Sequence, residues 1–581
     1  MRPTLLAATL VALLSTTTRA ELTVPHFFSD HMVLQRDRTA SIWGTADAGA
    51  RVNVGFRGES IAVAADADGN WNAEMLTGDA TGVGSDLTIT TEKTSVVIRD
   101  VVVGEVWLAS GQSNMVFTMN RVPGYADTIA NADYPGIRMF NAPTVTAVEP
   151  QDDIEGEWTL CSPESTAGYS AVAFFFARKL HTELNIPIGV IKTAWGGKPV
   201  ETFTSREALN TLDGTRKLVE AVVAADKSFD PAKAASDFES RLQQWQTQDA
   251  AWRSQPEDAR GRRPRRPSKP KRPLDTEGRP GVLFNAMIHP FVGYTLRGAI
   301  WYQGEGNAKP GAVPYDQTLP LMINDWRDRW GIPMSFYFVQ LANFRSPSTE
   351  PGNNDPWPLL QDRMRRVLDS TPDTGMAIIN DVGEANDIHP KNKHDVGERL
   401  ALWALAKNYE RDITYSGPLF QDYAIDDSVA SITFDQVGRG LRSRDGAPLQ
   451  RFEIAGNDKV WHWADAEIIN PTTVSVSSHN VPHPAAVRYA WAANPDGANL
   501  VNSEGLPASV FRTDDWDDVE PFVDLQAQKR LEQRRSLAAK IKGIAAEKAK
   551  LQRGSDAFKA TLAKQRELLK QLQSLAPQPA E

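Results

Sequence analysis

At 581 residues the chain is longer than one ordinary hydrophobic core organises, so a catalytic-sized domain with appended modules is expected. Its 41% hydrophobic and 23% charged residues are those of a globular protein, and a formal net charge of -10 argues against a nucleic-acid binder, which needs an accessible excess of Lys and Arg. Cys161 is the single cysteine, in a polar stretch with no histidine nearby in sequence, so no intrachain disulfide can form.

Met1-Arg2, the apolar run 5–14 and Thr18-Arg19-Ala20 have the charged start, short hydrophobic centre and small-residue end of a secretory signal. They predict cleavage after Ala20 and an exported protein, periplasmic or secreted. No segment is long enough for stable membrane insertion. Residues 21–100 read as an N-terminal β module of short alternating strands, among them 40–44, 51–54, 66–71 and 87–90.

From 101 the text changes. Val101-Val102-Val103 and Val106-Trp107-Leu108 form a near-continuous apolar run, as a strand covered on both faces should, and lead into Gly111-Gln112-Ser113-Asn114-Met115. Strand-like runs recur at 186–193, 296–302, 335–340 and 376–380, with helical stretches at 170–184, 319–330, 358–368 and 393–408. Strands alternating with helices predict a mostly parallel sheet between helical layers over 101–410. An insert at 212–280 breaks the rhythm, first helical and polar, then Arg/Pro-rich from Arg260 to Pro273. Prolines so closely spaced forbid regular helix, so this is an extended surface loop, either simply solvated or a dock for an acidic polymer or the cell envelope.

Residues 411–520 return to strand-and-turn text and predict a C-terminal β module. The tail, 523–576, carries Leu537, Ile541, Ile544, Leu551, Phe558, Leu562, Leu569 and Leu572 at spacings of a coiled coil or helical hairpin, with a turn expected at Gly554-Ser555-Asp556. Homo-oligomerisation through this tail and packing within the chain are both open.

Ser113, leaving a strand's carboxyl end where open α/β sheets bind ligands, looks like a nucleophile, although Met115 stands where a Gly-x-Ser-x-Gly elbow has its second glycine. A serine hydroxyl needs a base, usually an oriented histidine. Of nine histidines, His389 in Asn386-Asp387-Ile388-His389-Pro390 follows a predicted strand, with Asp387 two residues away to pair with it. Oxyanion donors are offered by Trp195-Gly196-Gly197-Lys198 and by Trp301-Tyr302-Gln303-Gly304-Glu305-Gly306-Asn307, each also after a predicted strand. No histidine cluster has zinc-ligand spacing, so no metal or other cofactor is expected.

These loops, together with Phe28-Ser29-Asp30-His31-Met32-Val33-Leu34-Gln35-Arg36, Gly104-Glu105-Val106-Trp107 and Glu201, resemble the sialate O-acetylesterases, carbohydrate acetylesterases of the SGNH-hydrolase type, over about residues 22–520. The resemblance implies an SGNH/flavodoxin-like parallel-sheet hydrolase core flanked by the two β modules, with the helical tail as an addition. It makes Ser113 the nucleophile and His389 the base, with Gly196 or Gly197, Gln303 and Asn307 as oxyanion-hole candidates. The family commonly has aspartate where Asn386 stands and serine where Gly306 stands. The acid is therefore open between Asp387, Glu305 and a backbone carbonyl. The implied substrate is an O-acetylated sugar or glycan: 9-O-acetylated sialic acid, with Lys198 and Arg345 as candidate cations for its carboxylate, or acetylated xylan or another plant or algal polysaccharide. The reading from another class is a non-catalytic glycan-binding protein.

Overall fold

The computed structural model describes residues 22–256, 260–516 and 555–574, with single positions between 533 and 547. The expected signal segment and most of the expected tail before residue 555 lie outside the described residues.

The apolar run ahead of Ser113 belongs to one long strand, β1 (Ser95–Gly111), whose burial changes along its length. Up to Asp100 exposed and covered residues mix, whereas every residue from Val101 to Gly111 is buried. The first part pairs antiparallel with Thr81–Thr90, which continues into Arg51–Phe56 and Glu59–Ala64, a sheet with one wet face. The second part enters a parallel sheet, where covering on both faces demands the unbroken hydrophobic text. One strand therefore runs across residue 100, where the N-terminal module was expected to end.

The parallel sheet adds β2 (Tyr134–Asn141), β3 (Ile188–Ala194), β4 (Gly298–Tyr302), β5 (Ser335–Val339) and β6 (Thr374–Ala377) in the order β6-β5-β4-β1-β3-β2, with Trp158–Cys161 antiparallel at the edge. From β1 the chain crosses to the outer strand β2, returns as β3 between them, and then builds β4, β5 and β6 outward on the other side, so the connections from β1 and β4 leave in opposite directions. That is the switch point at which open α/β sheets form clefts. The molecule is thus a mixed α/β protein whose central sheet contains the parallel strands.

Helices α1 (Ser113–Val116), α2 (Ala171–Leu184), α3 (Tyr315–Trp330), α4 (Pro356–Ser370) and α5 (Lys393–Asn408) follow the strands. Ser170 and Asn392 cap α2 and α5 by accepting the Ala173 and Asp395 N–H groups. α2 and α5 meet at Gly397, where a Cβ would lie 2.6 Å from that of Phe175. α3 begins at Tyr315, earlier than expected, and holds Pro320 inside it. The apolar text at 376–380 stops being strand after Ala377, because Ile378 O accepts from Arg399 and Asn380 Nδ2 donates to Ala508 O.

Two local expectations change, and the insert's loop gains partners. Residues 66–69 are a turn held by Asp66 Oδ1, and the strand starts at Asn70. Cys161 ends a strand and is 1% exposed, its Sγ 3.2 Å from Thr166 Oγ1, instead of lying in a polar loop. The Arg/Pro-rich loop folds back on its own helices, Asp213–Lys227 and Pro231–Arg253: Trp245 and Trp252 donate to Pro264 O and Gly261 O, Arg263 pairs with Asp249, and Arg272 with Asp226. Several of its cations are thereby spent within the insert.

Beyond α5, two four-stranded antiparallel sheets share a core of Ile432, Phe434, Val474, Val476 and Phe511. They pack on the α/β core through Gln340 to Ser509, Trp491 to Asn353 O and Phe344 N to Ala493 O. In the tail, Asp556–Ser574 is helical and Ser555 Oγ accepts the Phe558 N–H. Among the described residues no helix is long and apolar enough to cross a membrane.

Candidate active site

Register brings the loops together. Gly111 is level with Ala194 of β3 and with Tyr302 of β4, so the chain leaves the sheet at the same height in all three strands. Gln112 N donates to Tyr302 O at 2.9 Å and Trp195 N to Gly111 O at 3.0 Å. Gly111 has φ +132, and a Cβ there would sit 2.2 Å from Tyr302 O. Only glycine allows this approach, which sets Ser113 at the start of α1 between the two neighbouring loops.

The half-buried Ser113 places Oγ 2.8 Å from His389 Nε2, although 276 positions separate them in the chain. Asp387 Oδ1 lies 3.5 Å from His389 Nδ1, longer than a good hydrogen bond, and accepts the His389 backbone N–H at 2.9 Å. Lys391 Nζ holds the other Asp387 oxygen at 3.2 Å and Glu384 at 2.6 Å. With its proton on Nδ1, facing Asp387, the imidazole has Nε2 available to accept from the serine. Burial lowers the His389 pKa below its ordinary value; Asp387 opposes this, and the charges of Lys393 and Arg121 add to it. Burial also pushes the Asp387 carboxyl up, but the His389 N–H and Lys391 outweigh it and hold the carboxyl below its usual range.

Gln303 and Asn307 are buried at 0% and 4% exposure, with their amide groups already engaged. Gln303 Nε2 donates to Asn307 Oδ1 at 2.8 Å and to Gln112 Oε1 at 3.3 Å, while its Oε1 accepts from Tyr315. Asn307 Nδ2 donates to both oxygens of Glu201. These amides brace the serine loop from below. Gly196 and Gly197 lie two and three residues past Ala194, beside the serine loop, and Gly197 has φ +68 with open space where a Cβ would be. Among the described residues neither the Ser113 nor the Gly197 N–H is given to a protein acceptor.

Glu305 forms no ion pair with His389 among the described residues. Its Oε1 accepts from Asn114 Nδ2 at 2.5 Å, and its Oε2 is buried without a partner. Burial raises its pKa, against the pull of Asn114 and Lys393. Sequence reading missed the two residues that complete this layer. Asn114, next to Ser113, also donates to Ile388 O and accepts from Lys393 Nζ at 2.6 Å. Lys393 is 0% exposed, and burial brings its pKa down to about 7. A lysine at the first turn of an amphipathic helix reads as solvated, so its text carries no sign of burial. The suggested carboxylate ligands are elsewhere employed: Arg345 pairs with Asp355, and Lys198 Nζ lies 5.3 Å from the Trp195 ring centre.

A hydroxyl, an imidazole and a carboxylate in this series can move a proton off the serine, with backbone N–H groups nearby for a developing oxyanion. No family model matches the chain. It is 28% identical to the sialate O-acetylesterase of Rattus norvegicus over 84% of this chain and 93% of that protein, and 28% identical to that of Homo sapiens over 81% and 87%. A solved carbohydrate acetylesterase from Xanthomonas citri is 34% identical, with TM-score 0.71, over 85% of this chain and 100% of its own.

Proposed function

Because the chain belongs to the sialate O-acetylesterase family of carbohydrate acetylesterases, we propose that it removes O-acetyl groups from sugars with Ser113 as nucleophile, His389 as base and Asp387 as the orienting acid. The observation that carries this reading is the 2.8 Å approach of Ser113 Oγ to His389 Nε2 at the carboxyl edge of the parallel strands. His389 Nε2 takes the hydroxyl proton as Oγ bonds to the acetyl carbonyl carbon. The oxyanion is held by the Ser113 and Gly197 N–H groups, with Gly196 beside them. Collapse breaks the acetyl–sugar C–O bond, and the sugar oxygen leaves with the proton from His389. Water then attacks the acetyl-enzyme through the same base, releasing acetate and restoring Ser113. Gln303 and Asn307 act in this reading as braces for Gln112 and Glu201.

The substrate reading is an O-acetylated sialic acid, from the names of the relatives. Residues 1–20 are read as the export signal, so N-terminal sequencing of exported protein should begin at Glu21. The tail is read as a coiled coil joining copies, so the full chain should sediment as an oligomer and a chain ending at 516 should not.

The mechanism is tested by acetate release from 4-nitrophenyl acetate and O-acetylated sialic acid. Ser113→Ala should lower kcat by ~10³-fold or more with an unchanged melting temperature. Equal release by both proteins would return Ser113 to a turn residue.

A further inference from the structure

Two cations lie over the ring of Phe117, the residue that ends the turn begun by Ser113. Arg121 Cζ is 4.4 Å and Lys393 Nζ 4.9 Å from its centre. Lys393 is buried and spent on Asn114. Arg121 is exposed and meets no carboxylate among the described residues. The other cations close to the catalytic pair differ from it: Lys391 is neutralised by Glu384 and Asp387, and the half-buried Lys198 lies over Trp195.

Arg121 is also fixed in place. Its turn, Met119–Arg121, is tied down by Met119 N to Tyr169 O and Asn120 N to Ala167 O, both 3.1 Å or shorter, and Arg121 N donates to Thr118 O. An exposed guanidinium stacked on an aromatic ring presents its fork of donors to solvent at a set position, and such a fork matches a carboxylate. Its charge reaches His389 and opposes protonation there. That works against the imidazolium which must form as Ser113 attacks, unless an anion on the substrate neutralises the guanidinium first.

We propose that Arg121 is the residue that anchors the substrate carboxylate, holding the acidic sugar while its ester is cleaved at Ser113. The proposal rests on the acetylesterase and substrate readings above and names the residue that recognises the charged sugar. It makes Arg121 a specificity residue: the carboxylate lies against the guanidinium over Phe117 while the acetyl carbonyl reaches Oγ.

The test compares acetate release by the full-length enzyme from 4-nitrophenyl acetate, from O-acetylated N-acetylneuraminic acid and from the methyl ester of that sugar, which is the same molecule without the charge. Wild type should favour the free acid over the methyl ester by about 10-fold or more in kcat/KM. Arg121→Gln should remove that preference, chiefly through KM on the free acid, while 4-nitrophenyl acetate, which brings no anion to the guanidinium, is cleaved at least as fast as by wild type. Arg121→Lys should keep part of it, having the charge without the fork. Equal cleavage of acid and methyl ester by wild type overturns the proposal, as does an equal loss on both in Arg121→Gln or a preference lost in Lys198→Gln instead. In those outcomes acetate is still released and the esterase reading stands. No release from any of the three substrates overturns the esterase reading itself, and the proposal with it.

Discussion

Asn114 Nδ2 donates to the carbonyl of Ile388 at 3.1 Å, so the residue after Ser113 grips the residue before His389. The same side chain bonds Glu305 and Lys393, and four segments of chain converge on one amide. Asn114→Ala cuts these ties while sparing the Ser113 and His389 side chains. We expect kcat on 4-nitrophenyl acetate to fall ~10- to 100-fold, and urea unfolding to show a loss of about 1–3 kcal/mol from the stranded buried partners. Unchanged kcat would mean the loops hold their spacing without it.

Asp387 and Glu305 are separable by isosteric amides. Asp387→Asn removes the charge facing Nδ1 and should cost ~10²–10⁴ in kcat. Glu305→Gln retains an acceptor for Asn114 and should cost no more than about 10-fold. The opposite ranking, read from kcat in the two variants, would reassign the acid to Glu305.

The proposed mechanism needs neutral His389, whose pKa burial lowers from 6.5. Protonation therefore disables the base only on the acid side: kcat/KM for 4-nitrophenyl acetate should rise with pH through a midpoint below 6.5 and be level at neutrality. Asp387 raises the His389 pKa, so in Asp387→Asn the midpoint should move further down. A pH–rate profile with its midpoint above 6.5, or an upward move in the variant, contradicts this assignment.

Glu105 ties the N-terminal strands to the sheet at the root of the serine strand. At 0% exposure it accepts from Arg36 Nε at 2.6 Å, Arg297 Nε at 2.7 Å and Gln35 Nε2 at 3.0 Å. Burial pushes its carboxyl up, but the Arg297, Arg36 and Gln35 bonds prevail and hold the pKa below its ordinary value. Glu105→Gln strips Arg297 of the carboxylate it pairs with and leaves Arg36 only Asp37, at 3.5 Å, and should cost about 3–5 kcal/mol in urea unfolding. The carboxylate is protonated in the unfolded chain before it is in the native one. Its stabilising contribution is therefore present above the ordinary Glu pKa of 4.5 and is lost as pH falls through the lower native value.

Much of the sheet was legible because its signals are local. The unbroken apolar text of Val101–Val103 and Val106–Leu108 marks a strand covered on both sides, and its neighbours repeat the pattern. The helix over residues 393–408 is read from its stripe to the residue. Where the text misled, a distant partner had taken over, as when Arg399 and Ala508 captured the polar groups after Ala377 and ended that strand early.

For the site, the sequence by itself determined which loops matter, since a serine, a Gly-Gly pair, an amide cluster and an Asp/His pair each follow an apolar run. Only the tertiary structure decided what each side chain does there. Level strand ends at Gly111, Ala194 and Tyr302 put separate loops in contact, and folding brought His389 to Ser113 across 276 positions. The same packing closed Gln303 and Asn307 into bonds with Gln112 and Glu201, buried Lys393 against Asn114 and left Arg121 exposed, both cations over the Phe117 ring. The reason is physical: periodicity and turn chemistry act over a few residues, whereas a polar group's partners, exposure and charge state are set by whichever atoms the fold brings within a few ångströms.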